Sequence, residues 1–217
     1  MKQRSTLQRT AVRLAALVLV GASLSGCEVL LLGGAVGGAF VATDRRTSGT
    51  QLEDQTIQVK ARNRASEVLG ERGHVNVNAY NRLILLTGEV PNEADRAAVE
   101  QAVARTENAT GVVNELAVTF NSSLSSRASD VALATKVKAT LVDARDLMSG
   151  AFDVVVERGE VYLMGIVTER EANRAAELIS TISGVRRVVK VFQIISEDEL
   201  ARRLPKPATN SASGTQP

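Results

Sequence analysis

Between positions 52 and 196, apolar residues recur at the spacing of helices in some segments and of strands in others. The same succession of helical and strand patterns occurs twice. In each copy the first apolar residues lie four positions apart, which predicts an amphipathic helix. These residues are Ile57, Ala61, Ala65 and Leu69, and then Leu133, Val137 and Leu141. We expect the two helices to begin at Asp54 and Asp130, because an aspartate side chain can accept hydrogen bonds from the first free N–H groups of a helix.

Two short apolar runs follow each predicted helix, and their Val, Ile, Leu and Tyr content is typical of strands. Asn81 and Gly159 lie between the runs and tolerate the left-handed backbone of a tight turn, so each pair of runs is predicted to form a β-hairpin. In each copy a second helix and a last strand complete the order α-β-β-α-β. The second helix is expected to end near Asn108 in the first copy and near Gly184 in the second. The strands are predicted at 75–77, 83–86 and 112–120 and at 153–156, 161–164 and 188–195, and the second helices at 92–106 and 169–182.

The two copies align with a spacing of 76 to 78 residues that changes at the loops. Gly88 matches Gly165 late in the second strand, where a glycine predicts a bulge or a close approach of two backbones. The sequence therefore predicts an α+β fold made of two tandem αββαβ repeats, each a small sheet packed against two helices. Each repeat of roughly 65 residues is small for an independent core, so we expect the two repeats to pack on each other.

The first 26 residues have the layout of a secretory signal, with a basic head and a short apolar run. The segment Leu24-Ser25-Gly26-Cys27 that ends it resembles a bacterial lipobox. The resemblance implies cleavage before Cys27, with a diacylglycerol and an N-acyl chain on that cysteine as the only covalent groups and no other cofactor. An ordinary membrane-spanning helix is disfavoured, because the uninterrupted apolar run is shorter than the roughly 20 residues that a span requires.

Removal of this signal changes the charge of the chain. Four of the 26 Lys and Arg residues lie within it and none of the 24 Asp and Glu residues does, so the rest of the chain carries 22 basic and 24 acidic residues, a net charge of −2. The basic isoelectric point therefore comes from the signal, and we expect no nucleic-acid partner. We divide the chain into a signal peptide (1–26), a lipidated Gly-rich tether and linker (27–50), repeat 1 (51–120), a linker (121–128), repeat 2 (129–196) and a disordered tail (197–217).

The residues needed for most kinds of enzyme site are scarce. Cys27 is the only cysteine and His74 the only histidine, which leaves almost no material for a zinc site or a Ser-His pair. We interpret His74 as a surface residue ahead of a strand. Glu169 and Glu171 lie at a predicted helix start, where the helix dipole favours carboxylates without any catalysis. We therefore expect no enzymatic activity and no metal site.

The strand-Gly-x-Val step, the Ala-rich second helix and the closing Gly184-Val185 resemble the BON domain. Two such domains behind a lipobox are similar to the double-BON outer-membrane lipoproteins of the DolP type. The resemblance implies a lipid-anchored protein of the outer membrane that faces the periplasm, supports envelope integrity and binds anionic phospholipid through the first helix of repeat 2. Glu28, in place of an Asp after the lipidated cysteine, also favours the outer membrane.

On that helix the candidate phospholipid-binding residues are Lys136 and Lys138, beside the apolar stripe. Basic residues at an anionic membrane surface contribute about 1 kcal/mol each. The alternative is that both lysines belong to a solvated helix face. A second basic group near the last strand consists of Arg186, Arg187 and Lys190. These residues could equally be solvent-facing side chains of that strand with no ligand. A different function also stays open, in which the protein docks on envelope assembly or secretion machinery through an exposed sheet edge.

The lipobox yields the first testable prediction. Cys27→Ala should leave an uncleaved precursor that takes up no labelled palmitate, because the thiol that receives the first lipid is gone. Metabolic labelling followed by gel electrophoresis measures both properties. Normal processing and labelling of the variant would contradict the assignment of Cys27 as the lipidated residue.

Overall fold

The computed structural model of the protein describes residues 44–203, and Cys27 with its signal and tether lies outside them. The described residues belong to one compact unit. Repeat 1 contains α1 (Ser48–Leu69), β1 (His74–Tyr80), β2 (Leu83–Val90), α2 (Glu93–Val103), β3 (Gly111–Asn114) and β4 (Ala117–Val118). Repeat 2 contains α3 (Leu124–Asp143), β5 (Phe152–Glu157), β6 (Glu160–Thr168), α4 (Glu169–Ser180) and β7 (Arg187–Ile195), and α5 (Glu197–Arg203) follows it. The predicted α+β fold of two αββαβ repeats is confirmed. Within the described residues, no helix is both long and apolar enough to cross a membrane.

Each repeat is a small sheet with two helices on one face. In both sheets the middle strand pairs antiparallel with the strand before it and parallel with the strand that follows the second helix. Side chains alternate between the two faces of a strand, so Ile84 and Leu86 of β2 pack against α1 and α2. Val161 and Leu163 of β6 likewise pack against α3 and α4.

The remaining faces of the two sheets pack on each other and form a third core between the repeats. Leu85 of β2 and Met164 of β6 are completely buried there. Tyr80, Tyr162, Ile166, Val191, Ile195 and Leu200 complete its buried set. The protein is thus four layers deep, helices–sheet–sheet–helices, and the expectation that the repeats pack on each other is met.

The two hairpin turns lie at opposite ends of this sandwich. The Asn76 side-chain amide of repeat 1 donates to Glu157, just before the Arg158-Gly159 turn. At the other end, the Asn81 amide of the first turn donates to Gln193, late in β7. Each end of the sandwich therefore carries the hairpin turn of one repeat only. We call the two ends the Asn81 end and the Arg158 end.

The predicted role of Asp54 and Asp130 as helix caps is wrong. The helices begin earlier, capped by Thr47 and Ser123, so both aspartates lie within a helix and are buried. Their carboxylates accept hydrogen bonds from the hairpin turns instead: Asp54 from the N–H groups of Asn81 and Arg82 at 2.7 Å, and Asp130 from those of Arg158 and Gly159 at 2.8 Å. All four turn residues have positive φ, so the predicted left-handed turns are present and a tertiary contact holds each of them.

Gly88 and Gly165 occupy equivalent places in β2 and β6, as the repeat alignment predicts. A Cβ on Gly88 would meet the His74 carbonyl oxygen, and one on Gly165 would meet that of Ala151. Gly88 also has a φ of 115°. Both positions thus require a close backbone approach.

Four segments differ from the sequence-based expectation. α1 begins at Ser48 and α3 begins at Leu124, each inside a predicted linker. The last strand of repeat 1 is broken into β3 and β4 at Glu115-Leu116, because the Asn114 side chain accepts from the Leu116 N–H and bends the chain there. Residues 197–203 of the predicted disordered tail form α5, because Leu200 packs into the core between the sheets. Residues 204–217 lie outside the described part.

The segment ahead of α1 is held by two arginines. Arg45 donates to both carboxylate oxygens of Glu171 at 2.7 and 2.8 Å and to the Ile166 carbonyl. Burial raises the pKa of Glu171, but hydrogen bonds from Arg45 and the Thr168 backbone lower it more, so the net pKa lies below the usual value. Arg46 pairs with Asp54 at 2.8 Å and lies 3.9 Å over the Tyr80 ring. The segment before repeat 1 therefore contacts repeat 2 through Arg45 and repeat 1 through Arg46.

The core between the sheets predicts that the repeats unfold together. Leu85→Ala should lower the free energy of unfolding by about 2–5 kcal/mol, because it leaves a cavity among side chains that come from both repeats. Leu52→Ala, at a position that is 66% exposed, is the control and should change it by less than about 0.5 kcal/mol. Urea unfolding followed by circular dichroism measures both. Two separate transitions in the wild type, or equal effects of the two substitutions, would contradict a shared core.

Candidate functional site

The two predicted lysines do not form one site. Lys136 and Lys138 are both exposed on α3, but two positions on a helix lie about 200° apart around its axis. They therefore flank opposite edges of the buried stripe that Leu133 and Val137 define. Lys136 lines a groove at the Arg158 end, and Lys138 does not.

This groove, with a volume of about 730 Å³, lies between the start of α3, the β5–β6 turn and the loop before β7. We call it the repeat-2 groove. Its basic residues are Lys136, Arg158 and Arg186, and its wall also presents the hydroxyl-bearing residues Ser122, Ser123, Ser126, Ser129 and Ser183. Three cations and a set of hydroxyl donors together suit an anion such as a phosphate group.

The backbone of the groove is fixed by its own hydrogen bonds. Asp130 holds the Arg158-Gly159 turn from below, as described above, and the Arg186 N–H donates to the Gly159 carbonyl at 2.8 Å. Gly159 has a φ of 72°, and a Cβ there would come within 3.0–3.2 Å of Arg186 and Gly184 atoms. Because the turn requires a positive φ and this close approach, Arg158 is presented from a well-defined position.

The cations of the repeat-2 groove lack acidic partners within residues 44–203. No carboxylate lies within 4 Å of a charged nitrogen of Lys136, Arg158 or Arg186. Asp130, the one acidic residue of the lining, is only 8% exposed and accepts two backbone N–H groups. The local charge is therefore positive.

In the corresponding region of repeat 1, Lys60 and Arg46 are paired with acidic residues. Lys60, the counterpart of Lys136, pairs with Glu107 at 2.5 Å. The hydrogen bond and charge of Lys60 hold the pKa of the Glu107 carboxyl below its usual value. Asn108, the counterpart of Gly184, donates to Glu53 at 2.6 Å, and Arg46 covers Asp54. Arg82 of the Asn81-Arg82 turn forms no ion pair among the described residues and donates to the Asn108 carbonyl at 2.9 Å, whereas repeat 2 brings three cations without acidic partners together in one groove.

Large apolar side chains lie exposed beside the repeat-2 groove. Phe120 is 95% exposed and Leu124 is 84% exposed, and the chain between them contains Ser122 and Ser123 of the groove wall. Sequence analysis missed this pair, since it assigned Phe120 to a strand. The signal was present in the sequence, because Phe120 directly precedes the polar run Asn121-Ser122-Ser123 rather than a paired strand position.

The second predicted basic group is divided among three environments. Arg186 lines the repeat-2 groove. Arg187 pairs with Glu115 of repeat 1 at 2.8 Å and with Glu160 at 2.6 Å, and Lys190 donates to Asn173 on α4 at 3.0 Å. Burial raises the pKa of Glu160, but the hydrogen bonds from Arg187 and Tyr162 lower it more, so it lies below the usual value. Arg187 thus joins the two repeats, and Arg186 alone is available to a ligand.

His74 is the first residue of β1 and is partly buried, which corrects its interpretation as a surface residue ahead of the strand. Burial and the charge of Arg127 lower its pKa. Across residues 44–203, no three His, Cys, Asp or Glu side chains come together in a way that could hold a metal ion.

Comparison with known proteins gives matches in both repeats. The BON domain model matches residues 52–119 and 129–196. The outer membrane lipoprotein DolP of Haemophilus influenzae is 38% identical over 183 residues, which cover 82% of this chain and 94% of the relative. The 21 kDa hemolysin of Actinobacillus pleuropneumoniae is 28% identical, over 70% of this chain and 79% of the relative. Among solved structures, the C-terminal domain of CdsD, a structural protein of the type III secretion system of Chlamydia trachomatis, is 12% identical with a TM-score of 0.28, over 64% of this chain and 99% of that one.

Proposed function

The chain belongs to the BON domain family as an outer-membrane lipoprotein with two BON domains, and from this premise we propose that it binds anionic phospholipid through the Arg158 end of its second repeat. In this proposal Cys27 carries the acyl chains that anchor the protein, and the globular part faces the periplasm. The protein acts without catalysis and supports envelope integrity through its lipid contacts. The names of the two curated relatives denote a lipoprotein and a hemolysin, and neither denotes an enzyme.

The observation that carries the proposal is the set of unpaired cations in the repeat-2 groove. A lipid phosphate is an anion that Lys136, Arg158 and Arg186 could contact together, with serine hydroxyls as additional donors. Each basic residue near an anionic surface contributes about 1 kcal/mol, so three cations give a weak but useful affinity. For a protein that is already anchored, weak contacts suffice to set orientation, because the effective concentration of lipid is high.

The exposed apolar side chains beside the groove support a bilayer rather than a free phosphate as the ligand. A solvated phenylalanine side chain such as Phe120 gains about 1.5–3 kcal/mol when an apolar environment replaces water. Amphipathic surfaces that combine basic residues with Phe and Leu lie at the boundary between headgroups and acyl chains. We propose that Phe120 and Leu124 enter this boundary while the cations of the groove contact the headgroups.

One observation favours a second candidate function, docking on envelope assembly or secretion machinery. β7 is an unbroken strand of nine residues at the edge of its sheet, whereas the equivalent edge of repeat 1 is broken into β3 and β4. Such an edge can accept an extended segment of another protein. Failure of residues 44–217 to float with anionic vesicles, together with a crosslink from β7 to an envelope protein, would favour this function over lipid binding.

Lipid binding can be tested by comparing Lys136, which lines the repeat-2 groove, with Lys138, which does not. Lys136→Glu should weaken flotation of residues 44–217 with phosphatidylglycerol vesicles by at least about fivefold, because it removes a contribution of about 1 kcal/mol and adds repulsion. Lys138→Glu is the matched control on the same helix and should have a smaller effect, as should Lys60→Glu in repeat 1. Binding should also fall as salt rises, since exposed charges are screened over about 8–10 Å. Equal binding by the Lys136 variant and the wild type, with unchanged circular dichroism, would refute the groove as the lipid site.

Apolar insertion can be tested separately, because the chain contains no tryptophan. In Phe120→Trp, the single indole should shift its emission to shorter wavelength when anionic vesicles are added, since it moves from water into the bilayer boundary. Leu52→Trp is the control, because Leu52 is also exposed but lies in repeat 1. Vesicle binding without any shift for Phe120→Trp would leave the cations as the sole contact and would contradict insertion.

A further inference from the structure

The core between the sheets is apolar at the Asn81 end and polar at the Arg158 end. Met164 and Ile166 of β6 fill it near the Asn81 end, whereas their counterparts in β2 are Thr87 and Glu89. Strand alternation directs Glu89 toward the other repeat, as it does Leu85. Glu157 approaches the same region from β5, at the position that Tyr80 occupies in repeat 1.

The carboxyl groups of Glu89 and Glu157 are buried, and few hydrogen-bond donors contact them. Glu89 is 0% exposed, and neither of its carboxylate oxygens has a hydrogen-bond partner among the described residues. Glu157 is 5% exposed and accepts one bond, from the Asn76 amide at 2.6 Å. Two ionised carboxylates that share a buried region repel each other, and neither recovers its lost hydration.

The charged groups around this pair do not neutralise it. Arg127 on α3 is near both His74 and Glu157, but it donates to the Ser122 hydroxyl, and no carboxylate of residues 44–203 lies within 4 Å of its charged nitrogens. His74 on β1 pairs with Glu89 across the hairpin backbone and carries no fixed positive charge at neutral pH. Asp130 on α3 adds a further negative charge near Glu157.

We propose that Glu89 and Glu157 form a proton-dependent contact between the two repeats, which holds them together more tightly in acid and loosens as the pH rises. With one proton present, a carboxyl group can donate a hydrogen bond and the repulsion disappears. Loss of that proton places a second negative charge in a buried interface. The proposed contact does not depend on lipid binding, because neither Glu89 nor Glu157 lines the repeat-2 groove.

The direction of the pH dependence follows from Glu157. Burial raises its pKa, the Asn76 hydrogen bond lowers it, and the charges of Glu89 and Asp130 raise it further, so the net pKa lies above the unfolded value of 4.5. The folded state then binds the proton more tightly than the unfolded state does. The stabilisation is complete below about pH 4.5 and is lost as the pH rises through the raised folded pKa.

The experiment compares the unfolding equilibrium constants of wild type and Glu157→Gln, as residues 44–217, in urea between pH 4.5 and 8.5. The ratio of the wild-type constant to that of the variant should rise with pH, by about tenfold for each unit by which folding raises the pKa. Glu89→Gln should give a smaller rise in the same direction, because it removes one of the charges that raise the pKa of Glu157, and the double variant should add little to Glu157→Gln. Glu93→Gln, an exposed position, is the control and should give a constant ratio.

His74 requires its own control, because its lowered pKa makes the protein less stable as the pH falls below about 6.5. The comparison is therefore repeated in a His74→Gln background, where the same rise in the ratio should remain. Carboxyl-carbon NMR of Glu157 provides a second readout that does not depend on stability. A ratio that stays constant across the pH range, or a titration of Glu157 at or below pH 4.5, would overturn the proposal.

Discussion

The structure depends on one constraint: each small sheet has two apolar faces and only two helices, which cover one of them. The uncovered faces carry Leu85 and Met164, which are completely buried because the sheets pack on each other. A repeat of roughly 65 residues buries only a marginal share of its surface alone. The two repeats are therefore one folding unit, and the segment before α1 reinforces it when Arg45 binds Glu171 of repeat 2.

Face-to-face packing also explains how two copies of one fold come to have different surfaces. The Asn81 and Arg158 turns lie at opposite ends, so changes near one turn leave the other intact. At the Asn81 end, Lys60 and Arg46 pair with acids. At the Arg158 end, Lys136 and Arg158 have no such partners in the part of the chain that the structure describes, and Phe120 lies exposed nearby. The fold that the two repeats share thus forms the core, and the differences between the repeats at one end form a candidate membrane surface.

Most of the fold could be predicted from the sequence, because periodicity and the repeat alignment reflect local backbone geometry. The positions of Gly88 and Gly165 and the left-handed turns at Asn81 and Gly159 followed from it. Asp130 was misassigned, since an aspartate near a helix start suits a cap as well as a tertiary bond to a turn 28 residues away. For the same reason, the candidate site could be predicted only in part from the sequence. Helical geometry alone could have separated Lys136 from Lys138, but the convergence of Arg158, Arg186 and Phe120 depends on how α3, the β5–β6 turn and the loop before β7 pack.

We propose that the protein meets anionic membrane through the Arg158 end and not through the equivalent end of repeat 1. Amide hydrogen exchange of residues 44–217, with and without phosphatidylglycerol nanodiscs, tests it most directly, because it reports both ends in one experiment. We expect slower exchange at residues 120–136 and at the Arg158-Gly159 turn, with unchanged exchange at the Asn81-Arg82 turn. Protection confined to the Asn81-Arg82 turn, or the same small change at both ends, would contradict it.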